Sequence, residues 1–289
     1  MSTEASFSDR CKAWLQYPLP HHAISRLTHA LTRIRHAGLK NWAVRGFIRR
    51  FGVDMSEAAE PDVSAYPTFN AFFTRALKAG ARPLDPAPDA VLSPVDGAVS
   101  QIGAIRDGRI FQAKGQSFTA RELLGGDADA AARFKDGLFT TLYLSPRDYH
   151  RIHMPVRGVL HRMLHVPGRL FSVNPPTTRA VPRLFARNER VVCLFEGDAG
   201  PMALVMVGAM NVASIETVWA GEVTPPQRSA VRSWDYKPGE VTLPKGAETG
   251  RFNMGSTVIL LFAKDRIFWE PALQAGSLVR MGMRLATQV

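Results

Sequence analysis

The sequence is short of several things, and each shortage narrows its reading. It has two cysteines, Cys11 and Cys193, far apart and in no CxxC spacing. That argues against a disulfide framework or a cysteine-only zinc site and suits a reducing compartment. No stretch approaches the ~18 consecutive apolar residues of a spanning helix. The longest candidate, Ala203 to Ala213, is interrupted by Gly208 and Asn211. Met1 to Arg10 is polar and of mixed charge, so no secretory signal is expected. There is no internal repeat and no G-x-S-x-G motif, which weakens an α/β-hydrolase reading. Acidic residues are missing altogether between Arg10 and Val53.

This last absence organises the charge. The window holds nine basic residues: Arg10, Lys12, Arg26, Arg33, Arg35, Lys40, Arg45, Arg49 and Arg50. The net charge is +11, so the remainder of the chain carries only +2. Ile24, Leu27, Leu31 and Ile34 recur at spacings of three and four, which predicts helix from about Pro20 to Phe51, broken near Gly38. The second half sets Leu39, Trp42, Phe47 and Phe51 among Lys40, Arg45, Arg49 and Arg50. Basic amphipathic helices with Trp and Phe on the apolar side suit the headgroup layer of an anionic membrane. The same pattern also describes helices packed on the protein body with a solvated face. Nucleic acid is a third reading, with no recognised binding motif beside the charge.

Apolar content of 46% is ample for a core. Thr68 to Lys78 is predicted to be helical, with Phe69, Phe73 and Leu77 at spacing four. From Val91 onward β-prone pieces alternate with Gly, Pro and Asp turns: Ala98–Ile105, Arg109–Ala113, Leu138–Leu144, Arg190–Phe195, Met202–Val207 and Ala213–Trp219. The expected fold class is α+β, a mostly antiparallel β body over residues 61–289 behind a basic amphipathic helical segment over 1–60. Regular alternation of strands with long helices, as in a doubly wound sheet, is missing.

Three places could carry chemistry. Gly255-Ser256-Thr257 stands at the lip of the apolar run Val258–Phe262, where a buried strand is expected. Ser145-Pro146-Arg147-Asp148 resembles a helix start, and one turn of helix would bring His150 and His153 onto one face. Two neighbouring imidazoles can act as acid and base, bind metal, or serve structure alone. Asp96-Gly97 between β-prone residues is first a hairpin signal. Taken together, Asp, His and Ser are the minimal set for activating a hydroxyl.

Across nearly its whole length the chain resembles the bacterial phosphatidylserine decarboxylase proenzymes. The resemblance rests on Phe72-Phe73-Thr74-Arg75, Gly80-Ala81-Arg82-Pro83, Pro94-Val95-Asp96-Gly97 and Asp148-Tyr149-His150-Arg151-Ile152-His153. It continues in Val166-Pro167-Gly168, Ser172-Val173-Asn174-Pro175, the segment Leu184 to Arg190, Val207-Gly208-Ala209, the segment Glu216 to Gly221, and Gly250-Arg251-Phe252 before Gly255-Ser256-Thr257. The family usually has Leu before Gly-Ser-Thr; here it is Met254, similar in volume and apolar.

The resemblance implies self-cleavage between Gly255 and Ser256 by a triad of Asp96, His153 and Ser256. The products would be a β chain 1–255 and an α chain 256–289. Ser256 would become a covalent pyruvoyl group, the only cofactor, with no metal. That group would form a Schiff base with phosphatidylserine and yield phosphatidylethanolamine and CO2, with His150 returning a proton to the substrate. Residues 61–289 would be the decarboxylase domain. A lipid substrate implies a peripheral enzyme on the cytoplasmic face of the cell membrane, bound to an anionic surface and not to nucleic acid. The α and β chains would stay together as a heterodimer, with further dimerisation left open. Competing readings are a serine hydrolase turning over on Asp96, His153 and Ser256, a decarboxylase of a related aminophospholipid, and a binding module without chemistry.

Overall fold

Three helices open the chain in the computed structural model, which describes residues 5–210, 212, 214–224 and 230–289. They are α1 (Phe7–Trp14), α2 (His21–Thr32) and α3 (Ala37–Phe51). Ser6 and Asp9 close a capping box at the start of α1. The break expected near Gly38 lies instead at Arg33–His36, and Gly38 is in the first turn of α3. His36 caps that turn, its Nδ1 accepting the Leu39 N–H at 3.3 Å. Gly52, at φ +66°, ends α3 in the left-handed region.

The periodic stripe on α2 faces outward. Leu27 and Leu31 are 59% and 55% exposed, while His21, Ser25 and Thr32 are buried. The polar face makes the contacts with the body. His21 donates from Nε2 to the Gln16 carbonyl at 2.7 Å and accepts the Leu170 N–H on Nδ1 at 3.2 Å. His22 donates to the Gly168 carbonyl at 2.8 Å, and Arg33 pairs with Glu222. The usual amphipathic arrangement is therefore reversed here.

The helix expected over Thr68–Lys78 is confined to α4 (Phe69–Phe73), capped by the Thr68 side chain. The rest is pulled into extended pairing: Ala59 N–H donates to the Ala76 carbonyl and Lys78 N–H to the Glu57 carbonyl, both at 2.9 Å. Local propensity loses there to a longer-range ladder. Val44 of α3 joins Val53, Tyr66, Phe72 and Phe73 in a small apolar cluster that ties α3 to α4.

Among the described residues the body is a nine-stranded antiparallel sheet. Its path runs Arg232–Asp235, Gly158–Val166, Arg190–Gly197, Gly200–Val207, Thr257–Phe262, Leu138–Tyr143, Gly97–Ala104 and Leu278–Val279, with Thr242–Leu243 added beside Gly158–Val166. The mostly antiparallel α+β expectation holds. Thr257–Phe262 is the central strand, and all six of its residues are buried. Each large apolar side chain so placed contributes about 1.5–3 kcal/mol. A smaller sheet has the order Gly221–Glu222, Ser214–Thr217, Glu248–Asn253 and Arg151–His153. Ser214–Thr217 falls within the strand expected over Ala213–Trp219; Ala213 itself lies outside the described residues.

The two sheets are joined by three side-by-side crossings. Gly200–Val207 continues into Ser214–Thr217, Glu248–Asn253 into Thr257–Phe262, and Leu138–Tyr143 into Arg151–His153. The three strands keep the same neighbours on both sides, with the segment leading through Gly255 in the middle. The seam between the sheets is where all the candidate chemistry converges.

Candidate active site

Gly255 and Ser256 form the corner of the middle crossing. Asn253 ends one sheet and Thr257 begins the other, leaving three residues to change direction. Met254 has φ +88° and Gly255 φ +43°. Glycine tolerates this region, whereas a long L side chain at +88° is a strained backbone position. The corner is fixed on both sides. Phe252 N–H donates to the His150 carbonyl at 3.1 Å, and Leu144 N–H donates to the Ser256 carbonyl at 2.9 Å. The Asn253 side chain is held by Ser214 Oγ at 2.6 Å and by Asn70 at 2.9 Å. Ser256 is buried, and its hydroxyl donates to the Val207 carbonyl on the adjacent crossing.

His150 is the histidine at this corner. It is fully buried under the Phe73 ring, with centroids 4.1 Å apart. Its Nδ1–H donates to the Asp148 carbonyl at 2.8 Å, which leaves Nε2 as the bare lone pair. Among the described residues Nε2 has no hydrogen-bond partner. Burial pushes its pKa down to about 3, with the nearby Arg75 guanidinium acting in the same direction. The imidazole is a neutral, desolvated base facing the backbone at Gly255.

His153 faces elsewhere, and the shared helical face expected for the two histidines is corrected. Residues 145–150 form a turn and an extended stretch, and Arg151–His153 is a strand. Ser145 and Asp148 still make their cap-like contact, Ser145 N–H donating to the Asp148 carboxylate at 2.7 Å. The chain then leaves for a ladder with Glu248–Arg251 rather than turning into helix. On extended backbone, positions three apart point to opposite faces. His153 donates from Nδ1 to the Gly246 carbonyl at 2.9 Å, and Nε2 meets the Tyr149 hydroxyl at 3.1 Å. Burial lowers its pKa.

Asp96 lies beside His153 in the backbone, since His153 N–H donates to the Pro94 carbonyl at 2.9 Å. Its carboxylate is gripped by Arg82, Nε to both oxygens at 2.9 and 3.0 Å and Nη2 to one at 2.5 Å. Met281 N–H adds a fourth contact at 2.8 Å, and Arg82 also pairs with Glu57 at 2.7 Å. Among the described residues, none of Asp96, His153 and Ser256 hydrogen-bonds to another in this intact chain. They share one seam, each occupied by a different partner.

A cleft of about 210 Å3 opens onto Gly255 and Ser256. Phe47 and Phe51 of α3, with Phe73 and Met254, form its apolar wall, and Ser172 and Asn174 supply polar groups. Among the described residues no Lys, Arg, Asp or Glu lines it. Phe47 sets its edge against Phe73 at 5.8 Å, so α3 and His150 touch the same ring. No group of three or more metal-ligating side chains gathers among the described residues. The sequence did not point to Arg82 as the partner of Asp96, to Tyr149 as the partner of His153, or to α3 as a wall of the cleft. Only the presence of Arg82 and Tyr149 inside matching motifs hinted at the first two.

A family model described as phosphatidylserine decarboxylase matches residues 69–287, and a second, described as PSD, matches residues 11–52. The chain is 60% identical over 273 residues to a phosphatidylserine decarboxylase proenzyme of Ectopseudomonas mendocina, covering 93% of this chain and 95% of that one. A protein of the same name from Alkalilimnicola ehrlichii is 62% identical over 254 residues, 88% of each chain. One from Azotobacter vinelandii is 58% identical over 273 residues, 93% of this chain and 95% of that one.

Proposed function

The chain belongs to the phosphatidylserine decarboxylase family, and from that premise we propose that it is a zymogen that cuts itself at Gly255–Ser256 and then decarboxylates phosphatidylserine to phosphatidylethanolamine. The observation that carries this reading is the position of Ser256. It follows two positive-φ residues at the corner between two sheets, beside a buried neutral imidazole and on the floor of an apolar cleft.

For cleavage, the Ser256 hydroxyl leaves the Val207 carbonyl and attacks the carbonyl carbon of Gly255, giving its proton to His153. Asp96, held in place by Arg82, offsets the charge that His153 gains. The peptide becomes an ester, and loss of the Ser256 α-proton expels the Gly255 carboxylate. Hydrolysis of the remaining dehydroalanine releases ammonia and leaves residue 256 as a pyruvoyl group.

The surroundings suit that group: a buried lone pair on His150, walls that are uncharged among the described residues, and room in front of residue 256. The pyruvoyl group supplies a carbonyl that condenses with an amine and draws off electrons as CO2 leaves. His150 acts on protons. In its neutral form Nε2 can take a proton from the substrate ammonium and return it to the carbon that lost CO2. Phe73 and Met254 exclude water, and among the described residues the cleft wall facing a substrate carboxylate is uncharged, which favours its loss as neutral CO2.

The membrane reading rests on the helices. Trp14, Leu27, Leu31, Leu39 and Trp42 are exposed on α1 to α3, among exposed Arg26, Arg35, Arg45, Arg49 and Arg50. No helix among the described residues is long and apolar enough to cross a membrane. A peripheral seat on an anionic surface, facing the cytoplasm, fits both facts. It sets the α3 wall of the cleft at the lipid headgroups.

Intact-mass analysis of the purified protein tests the reading. Two fragments are expected, the smaller beginning at residue 256 and blocked by pyruvoyl, with phosphatidylserine converted in mixed micelles. A single 31.8 kDa chain that nevertheless decarboxylates the lipid would overturn it.

A further inference from the structure

Tyr149 is buried and belongs to no step above. Its hydroxyl lies 3.1 Å from Nε2 of His153. The direction of that hydrogen bond follows from the other side of the ring. Nδ1 stands 2.9 Å from the Gly246 carbonyl, which can only accept, so Nδ1 carries the hydrogen and Nε2 the lone pair. Tyr149 must then be the donor. The base that would take the Ser256 proton therefore has its single lone pair occupied in the intact chain.

We propose that Tyr149 is a positioning residue that holds His153 in this tautomer and masks its basic nitrogen until the seam rearranges for cleavage. The inference rests on the reading of His153 as the base of maturation. It explains why His153 and Ser256 share a seam and yet are each bonded elsewhere. Burial raises the phenol to about 12, which keeps it a donor at neutral pH. The charged groups facing His153 are Asp96, held by Arg82, Arg151 on its own strand, and Glu248 on the paired strand, itself bonded to Arg151. Lys245, next to Gly246, is turned away to the Ala87 carbonyl at 2.8 Å.

A hydrogen bond donated to Nε2 favours the neutral ring, so its removal raises the pKa of His153. The test uses the full chain carrying Ser256→Ala, which stays uncut, with 15N-labelled histidine followed by NMR. With Tyr149 present, Nε2 should show the shift of an unprotonated nitrogen; a protonated Nε2 in the neutral ring would overturn the proposal. Adding Tyr149→Phe should raise the His153 pKa by about 0.5–1 pH unit, the worth of one net hydrogen bond. With Ser256 restored, Tyr149→Phe should cleave about two- to tenfold faster at the alkaline plateau, with its acid limb moved to higher pH. An unchanged His153 titration and pH profile would sink the proposal while leaving His153 as the base. Normal cleavage by His153→Ala would instead remove the reading on which it rests.

Discussion

His150 and Gly255 meet at van der Waals range: Nε2 of the imidazole lies 3.5 Å from the point a Cβ on residue 255 would occupy. There is thus room for a methyl group, and what reserves the position for glycine is its φ of +43°. Gly255→Ala in the uncut Ser256→Ala chain is expected to lower stability by about 1–2 kcal/mol, the cost of a left-handed L residue. Urea denaturation measures it; a loss near zero would mean that the corner relaxes freely.

The buried imidazole also gives the fold an acid sensitivity. His150 has a pKa of about 3 when folded, against an ordinary value of 6.5. Below pH 6.5 the unfolded chain takes up a proton that the folded one refuses, so stability is complete above that value and falls as pH drops toward 3. At pH 5 the loss is about 2 kcal/mol. Denaturation of the uncut chain at pH 7 and pH 5 should show this difference, and His150→Gln should shrink it. An equal difference in both proteins would mean that other groups cause it.

Arg82 neutralises Asp96 where both are largely shielded from water, their side chains being 7% and 10% exposed. Arg82→Met strands the carboxylate with one backbone N–H. The expected cost is about 3–5 kcal/mol, as for other broken buried pairs, together with accumulation of uncut precursor. Thermal melting and gel analysis of the same preparation read both. A variant that melts and matures normally would show that Asp96 is indifferent to its clamp.

Leu27, Leu31 and Trp42 make no core, so their replacement should spare the fold and weaken only surface attachment. The triple change to Ser is expected to leave the melting temperature within a few degrees and to reduce co-sedimentation with phosphatidylserine-containing vesicles severalfold. Binding by the natural sequence should also fall as salt rises. Undiminished sedimentation of the variant would move the lipid contact to another surface.

What could be read beforehand followed the physics of local pattern. Arg190–Gly197, Gly200–Val207 and Thr257–Phe262 are dense in Val, Leu and Ile and lie where their texture suggests. Gly158–Val166 has no such texture, because His161, Arg162 and His165 interrupt it and a bulge between Leu160 and Arg162 breaks alternation. Asp96, His150, His153 and Ser256 stand out as candidates through their motifs, and the fold brings the four positions to one seam. Their orientation was not legible. His153 turns to Tyr149 and Gly246 because of a ladder with Glu248–Arg251, and α2 turns its polar face inward because of His21, His22 and Arg33. These are contacts between residues distant along the chain, and no periodicity encodes them.

The corner at Gly255 has a consequence for what a cut can separate. Severing it opens a bend and breaks no ladder. The shorter piece keeps Thr257–Phe262 threaded between Gly200–Val207 and Leu138–Tyr143, with Leu278–Val279 at the far edge of the same sheet and Arg284–Gln288 in another. The two pieces are interlaced rather than docked. A molecule once cut carries its own small chain for life, and two differently tagged populations mixed in the folded state would not trade them.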